Sequence, residues 1–324
     1  MAKTTRREFL KRAALTGAAV SGLPAVVGAA EKIAGDGKSR VVISTDRAVF
    51  TNDQIASDVL GSMLDESIAR LTNSRSGIEG WKKLFRPNDV IGLKVNCLFG
   101  KGVSTRPEMA KAVAKRLTSA GVKEENIIIW DRSTNDLIKC GFTPNREATG
   151  VQCYGDDGQW GELIEQGSFK GRITRIISEK VTGYINLPVL KTHGISGISC
   201  CLKNHYGSFD NPGSHHGNHC DPPLADFSSI PAVKSKCRLV IVDAIRPQYD
   251  GGPGLQPDAQ YNYYTIMMSR DPVAADAHGL EVIQKKRSQV GLEPIPNEKT
   301  RWLQSAQRRG VGVCDPSKIE LLTA

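Results

Sequence analysis

Short, unbroken runs of Val and Ile, separated by stretches with a helical apolar period, constrain this chain more than any other feature. Arg40–Ser44 (RVVIS), about Asp89–Asn96 (DVIGLKVN), Asn126–Trp130 (NIIIW), Arg238–Asp243 (RLVIVD) and Tyr263–Met268 (YYTIMM) read as strands of the buried type. Between the first three lie Asp53–Leu71, with Ile55, Val59, Leu60, Met63 and Leu71 on one side, and Pro107–Ala120, with proline in its first turn. This β-α-β alternation at crossover spacing predicts an α/β fold: a mainly parallel sheet flanked by helices. Further strands are expected near Ile173–Ile177, Gly183–Leu187 and Lys318–Leu322. Asp271-Pro272 caps and opens a helix to about Lys286, and a last helix spans about Asn297–Gln307. Residues 141–172 read as a loop or small excursion. Gly194–Ser235 reads as a long irregular insertion rich in His and Cys, with one short helix at Ile195–His205.

The amino terminus reads as an address. Arg6-Arg7 and Phe9-Leu10-Lys11 precede a weakly apolar run, Ala13–Gly28, with small residues at Gly28-Ala29-Ala30. This pattern resembles a twin-arginine export signal over 1–30, cleaved near Ala30. The run is about sixteen residues and holds Pro24, short of the roughly twenty that a spanning helix needs. The expectation is a periplasmic or extracytoplasmic protein, exported folded, with no membrane span after cleavage. A redox partner or a co-exported subunit fits that route. The other 294 residues, 31–324, form one α/β domain in this reading.

Charge adds little. The formal +9 includes five basic groups and one acidic group within 1–30, and aromatic residues are only 6%, so no nucleic-acid partner is expected. All eight cysteines lie beyond residue 30, and no CxxC occurs. A thioredoxin-type motif and a ferredoxin-type cluster run are therefore excluded. Motifs for a P-loop, a Rossmann turn, a serine-hydrolase elbow and an HExxH metalloprotease are likewise missing.

Chemistry-bearing residues gather where strands end. The second strand ends at Asn96-Cys97, the third at Asp131-Arg132, and Ile185–Leu190 leads to Lys191-Thr192-His193; RLVIV ends at Asp243. Ligand crevices of open parallel sheets lie outside these carboxyl ends. Lys191, Asp243 and Asp131 are thus the candidate catalytic groups. Thr192, Gly194 and Lys203 are candidates for holding an anionic cofactor or ligand, because a strand-to-helix transition there would expose backbone N–H groups. The stretch Lys191–Asp221 also holds five of the six histidines and three cysteines. Cys200 or Cys201 with His205 on a helix face, and His219 with Cys220 in the loop, form a candidate metal set.

The blocks INLPVLKTHGISGISCCLKNHYGSFDNPG (Ile185–Gly213), HGNHCDPPLADF (His216–Phe227), RLVIVDAIRP (Arg238–Pro247) and SRDPVAADAHG (Ser269–Gly279) carry a resemblance. The chain resembles the domain of unknown function 362 family, over a core of about residues 85–290. Many members of that family are labelled iron–sulfur binding through appended ferredoxin-type cysteine runs, which this chain lacks. Two functions follow as expectations. One is a redox protein with a metal ion or iron–sulfur cluster held by the 191–221 segment. The other is a non-redox enzyme or binding protein for an anionic small molecule at the strand ends.

Overall fold

The computed structural model describes residues 37–147 and 149–324; the stretch 1–30, expected to be an export signal, lies outside them. The strands are β1 (Ser39–Thr45), β2 (Phe50–Thr51), β3 (Gln54–Ile55), β4 (Ile91–Lys94), β5 (Ile127–Trp130), β6 (Gln152–Cys153), β7 (Trp160–Gln166), β8 (Phe169–Thr174), β9 (Gly183–Asn186), β10 (Val189–His193), β11 (Gly197–Ser199), β12 (Cys237–Gln248), β13 (Thr265–Ser269) and β14 (Ile319–Thr323). The main sheet runs β14-β1-β13-β12-β9-β4-β5-β6, and β10 also pairs with β12 and carries β11 at its side. From β12 to β6 every pairing is parallel, as expected of an α/β fold. β13 is the exception, running antiparallel to both β1 and β12.

The apolar runs are buried on both faces. Ile127 and Ile129 pack with Leu60, Leu64 and Val113 of the helices Ser57–Leu71 and Pro107–Ser119. Ile128 and Trp130 belong to the opposite core, with Phe227, Ile283 and Trp302 of the helices Pro223–Ser229, Pro272–Gln289 and Trp302–Arg308. Burying each such side chain is worth about 1.5–3 kcal/mol, so the two-sided sheet explains the unbroken Val/Ile runs. The Asp271 cap holds as expected: its Oδ1 accepts the N–H groups of Val273 and Ala274.

Four stretches depart from expectation. The strand expected near Ile173–Ile177 ends at Thr174, and Ile176–Lys180 is a π-helix. The first long helix starts at Ser57 rather than Asp53, because Asn52 and Asp53 take positive φ in the β2–β3 turn. Residues 141–172 are not all loop. They hold β7 and, together with 173 and 174, β8, a two-stranded ribbon with one wet face, and its Glu and Lys residues hid the strand signal. The expected helix Ile195–His205 does not form. Gly197 sits at φ +73°, where the chain folds back so that β11 pairs antiparallel with β10, and Lys203–Gly207 is a 3-10 turn.

β9 and β10 lie in succession along one side of β12. β9 pairs with its first half and β10 with its second, after a break at Leu187-Pro188. This offset carries β10 past the carboxyl ends of β4 and β9, over the edge where the candidate residues meet.

Candidate functional site

A buried polar network underlies that edge. Lys94, the last residue of β4, is 1% exposed, and its Nζ lies 2.7 Å from Asp131 Oδ1 just beyond β5. The same Nζ donates to the Val95 carbonyl at 2.6 Å and to Asn204 Oδ1 at 3.3 Å. Asp131 Oδ2 accepts the Cys97 N–H and Oδ1 the Arg132 N–H. Asn204 donates to Asn186 at the end of β9 and accepts from Asn96 after β4. Asn186 in turn donates to the Cys201 carbonyl. These bonds tie three parallel strands to the irregular segment, and nearly every donor and acceptor is used within the protein. The fit is close: a Cβ on Gly207 would collide with Asp131 Oδ1.

Above the network lies a cavity of about 340 Å³, whose walls include Lys191, His193 and Lys203. Lys191 and His193 sit two apart on β10, so both point to the same face. Lys191 Nζ donates to the Val103 carbonyl (2.6 Å) and to Asn96 Oδ1 (3.1 Å), beneath the Phe99 ring. Burial pulls its pKa down to about 8, against the opposing pull of Cys140, Asp131 and Cys97. Lys203 Nζ lies 3.1 Å from the Tyr206 ring centroid and 3.1 Å from His216 Nε2, and burial takes its pKa to about 7. Among the described residues neither lysine has a carboxylate at ion-pair distance. Asp136, the other acid in the wall, is paired with Lys139.

Hydrogen-bond accounting fixes the tautomers. His193 Nδ1 receives the N–H groups of Ile195 (3.1 Å) and Ser196 (3.3 Å), so the neutral ring carries its proton on Nε2. Burial, then Lys203, His216 and Lys191, push its pKa down to about 3. His216 Nδ1 lies 3.0 Å from the Pro212 carbonyl, which only accepts, so Nδ1 carries the proton and Nε2 accepts from Lys203.

The remaining predicted residues are dispersed. Asp243 is outside the cavity wall, 1% exposed and 2.6 Å from Arg106 Nη1. Thr192 points to the other face of β10, where its Oγ1 accepts the Gly252 N–H. The Gly194 N–H donates to the Gly252 carbonyl, so no helix start offers free N–H groups there. Both ring nitrogens of His205 are engaged, with the Tyr184 hydroxyl and Ser208 Oγ. His219 Nδ1 meets the Ile195 carbonyl, and Cys220 is buried beside Tyr206 and Lys203. Cys200 and Cys201 do meet, with Sγ atoms 3.8 Å apart. Asp276 is their neighbour, and these three are the group of His, Cys, Asp and Glu ligand atoms found within 4.8 Å of one another among the described residues. All three are buried, and burial raises the pKa of Cys200 to about 11 and of Asp276 to about 6.

Sequence reasoning missed Lys94, Asn186 and Asn204. The signal was present in part, since DVIGLKVN places a lysine inside an otherwise apolar run. A buried lysine requires a partner, and Asp131 was already a candidate.

The family described as domain of unknown function (DUF362) matches residues 91–281, a stretch that contains every residue lining the cavity. No curated protein matches the chain. Among solved structures, a crystal structure of a Thermotoga maritima protein from a structural genomics consortium is similar at 12% identity and a TM-score of 0.40. The likeness covers 74% of this chain and 60% of that one, so the chain spans less than two thirds of its neighbour's length. Among the described residues no helix is long and apolar enough to cross a membrane.

Proposed function

The chain belongs to the domain of unknown function 362 family, and for this member we propose a binding site or active site for a small organic anion at the carboxyl ends of the parallel strands. One observation carries the reading. Two buried lysines, Lys191 and Lys203, line one cavity without a carboxylate partner. Such charges are costly to bury unless something supplies the opposite charge, and an anionic ligand does so. His193 Nε2–H is a donor in the same wall, which suits a ligand whose polar face accepts. The test is a melting-temperature and calorimetric screen of the full chain against small carboxylates and inorganic phosphate. Binding by at least one anion, lost in Lys191→Met and Lys203→Met, is expected. Failure of every anion to bind overturns the reading.

A second reading keeps the metal. The convergence of Cys200, Cys201 and Asp276 favours a single ion there, not the wider set with His205, His219 and Cys220. An iron–sulfur cluster takes four cysteine ligands or a close substitute, and this group offers two. Asp276 also accepts the Cys201 and Leu202 N–H groups, which the chain needs for its own turn. Elemental analysis of freshly purified protein tests this reading, and a redox partner belongs to it alone. Extracytoplasmic location through the twin-arginine route is part of either proposal and rests on Arg6-Arg7.

A further inference from the structure

We propose that Lys191 and His193 act together on a 2-oxo acid, Lys191 as the base that removes a proton from the carbon beside the carbonyl and His193 as the neutral donor that polarises the carbonyl oxygen. This rests on the anion reading of the cavity and goes a step past it, from binding to reaction class.

The geometry of each group supports its role. Lys191 Nζ has four positions: its own Cε, one toward the Val103 carbonyl, one toward Asn96 Oδ1, and a fourth. The two acceptors are satisfied equally by an amine or an ammonium. Only the fourth position changes, from lone pair to N–H, so the nitrogen gains or loses a proton without breaking a bond. His193 is the reverse case. Two backbone N–H groups occupy Nδ1, which leaves Nε2–H as a fixed donor. A neutral imidazole held this way stabilises an oxyanion without surrendering its proton. The two residues are spaced by about 6.6 Å along one strand face, within reach of adjacent atoms of one small molecule. Lys203, whose lowered pKa rises once an anion lies beside it, supplies the charge that pairs with the carboxylate. Leu98, Phe99 and Ile195, which are 57%, 43% and 40% exposed around the same cavity, offer the apolar contact that the carbon chain needs.

The step balances without a co-reactant. The C–H bond breaks, its proton goes to the Lys191 lone pair, and its electron pair moves through the new C=C bond to the carbonyl oxygen as an enolate. His193 Nε2–H holds that oxygen. Return of a proton from Lys191 restores the acid, and exchange of that proton with water in the open cavity leaves an isotope label. Cys97, Cys140 and Asp131 face Lys191 with negative or potentially negative groups, and Lys203 and His193 face the same space.

The experiment is deuterium uptake at C3 of 2-oxobutyrate and pyruvate in D2O, followed by proton NMR with the full chain, alongside calorimetric binding of the same acids. Uptake above the protein-free rate is expected. Lys191→Arg should keep the charge and the binding but lower exchange about 10²–10⁴-fold, the usual contribution of a positioned base. His193→Phe should lower exchange, and His193→Gln, which retains an N–H donor, should recover part of it. Binding without uptake, or binding of other anions but not of these acids, overturns this inference and leaves the anion site standing. Binding of no anion overturns both. Uptake that survives Lys191→Arg assigns the base elsewhere and refutes the role given to Lys191.

Discussion

Replacing Lys191 by methionine is expected to stabilise the ligand-free protein at neutral pH while it destroys the anion site. Burial draws the Lys191 pKa from its ordinary 10.5 to about 8. Keeping the ammonium charged at pH 7 therefore costs the fold about 3 kcal/mol, at about 1.4 kcal/mol per pH unit. Methionine removes the charge but leaves the Val103 carbonyl and Asn96 Oδ1 without this donor, a loss of about 1–3 kcal/mol. The net gain at pH 7 is about 0–2 kcal/mol. The pH dependence is sharper. Above pH 8 the folded lysine is neutral while the unfolded chain keeps its proton to 10.5. The unfolded state then binds more protons, so the parent gains stability as pH rises, and the variant lacks this gain. Between about pH 8 and about pH 9.5 the parent should gain about 1.5 kcal/mol on the variant. Cys97, Cys140, Asp131, Lys203 and His193 surround the group, and the Cys97 hydrogen bond holds the Cys140 thiol below its ordinary value, so both proteins should carry Cys140→Ser to remove that titration. Urea unfolding followed by circular dichroism measures the difference. A stability gap that stays flat across this range would refute the reasoning, because Lys191 would then titrate as an ordinary exposed lysine.

Lys94→Met leaves Asp131 buried without its counter-charge and should cost about 3–5 kcal/mol, read as a lower urea midpoint; a loss under about 1 kcal/mol would mean that the pair is not buried in solution. If a single ion sits at Cys200, Cys201 and Asp276, Cys201→Ser should lower both bound metal and melting temperature, whereas Cys314→Ser should do neither; metal-free protein as purified ends that reading. Replacing Arg6 and Arg7 together by lysine should leave precursor in the cytoplasm, and fractionation that finds normal export would refute the twin-arginine assignment.

The parallel sheet was legible because its strands are buried on both faces, and that demand writes itself into IIIW and RLVIV as unbroken apolar runs. The β7–β8 ribbon was not, since one of its faces is wet and its composition is that of a loop. Lys191 and Lys203 were legible as charges near strand ends. Their isolation from carboxylates was not, because it depends on Asp131 being claimed by Lys94 and Asp243 by Arg106, partners 37 and 137 residues away. The expected Cys201–His205 face failed for a local reason: Gly197 at positive φ turns the chain into a hairpin, and periodicity arguments cannot see a single backbone angle.

The same pairings are the reason for proposing an anion rather than a cation in the cavity. Three lysines reach this edge, and Asp131, the carboxylate whose charge reaches Lys191, is locked to Lys94 with both oxygens occupied. Had Asp131 stood free, its oxygens could have paired with Lys191 or faced a cation. Locked in the wall by Lys94, it leaves Lys191 and Lys203 uncompensated. Asn96 links the two levels, donating to Asn204 in the network and accepting from Lys191 in the cavity. A ligand that enters therefore meets groups whose positions are already fixed by bonds below, so little reorganisation opposes its binding. On this reading, the stability forgone by burying charged Lys191 and Lys203 is recovered when the lysines lose their protons or when an anion binds, which couples occupancy of the cavity to stability of the fold.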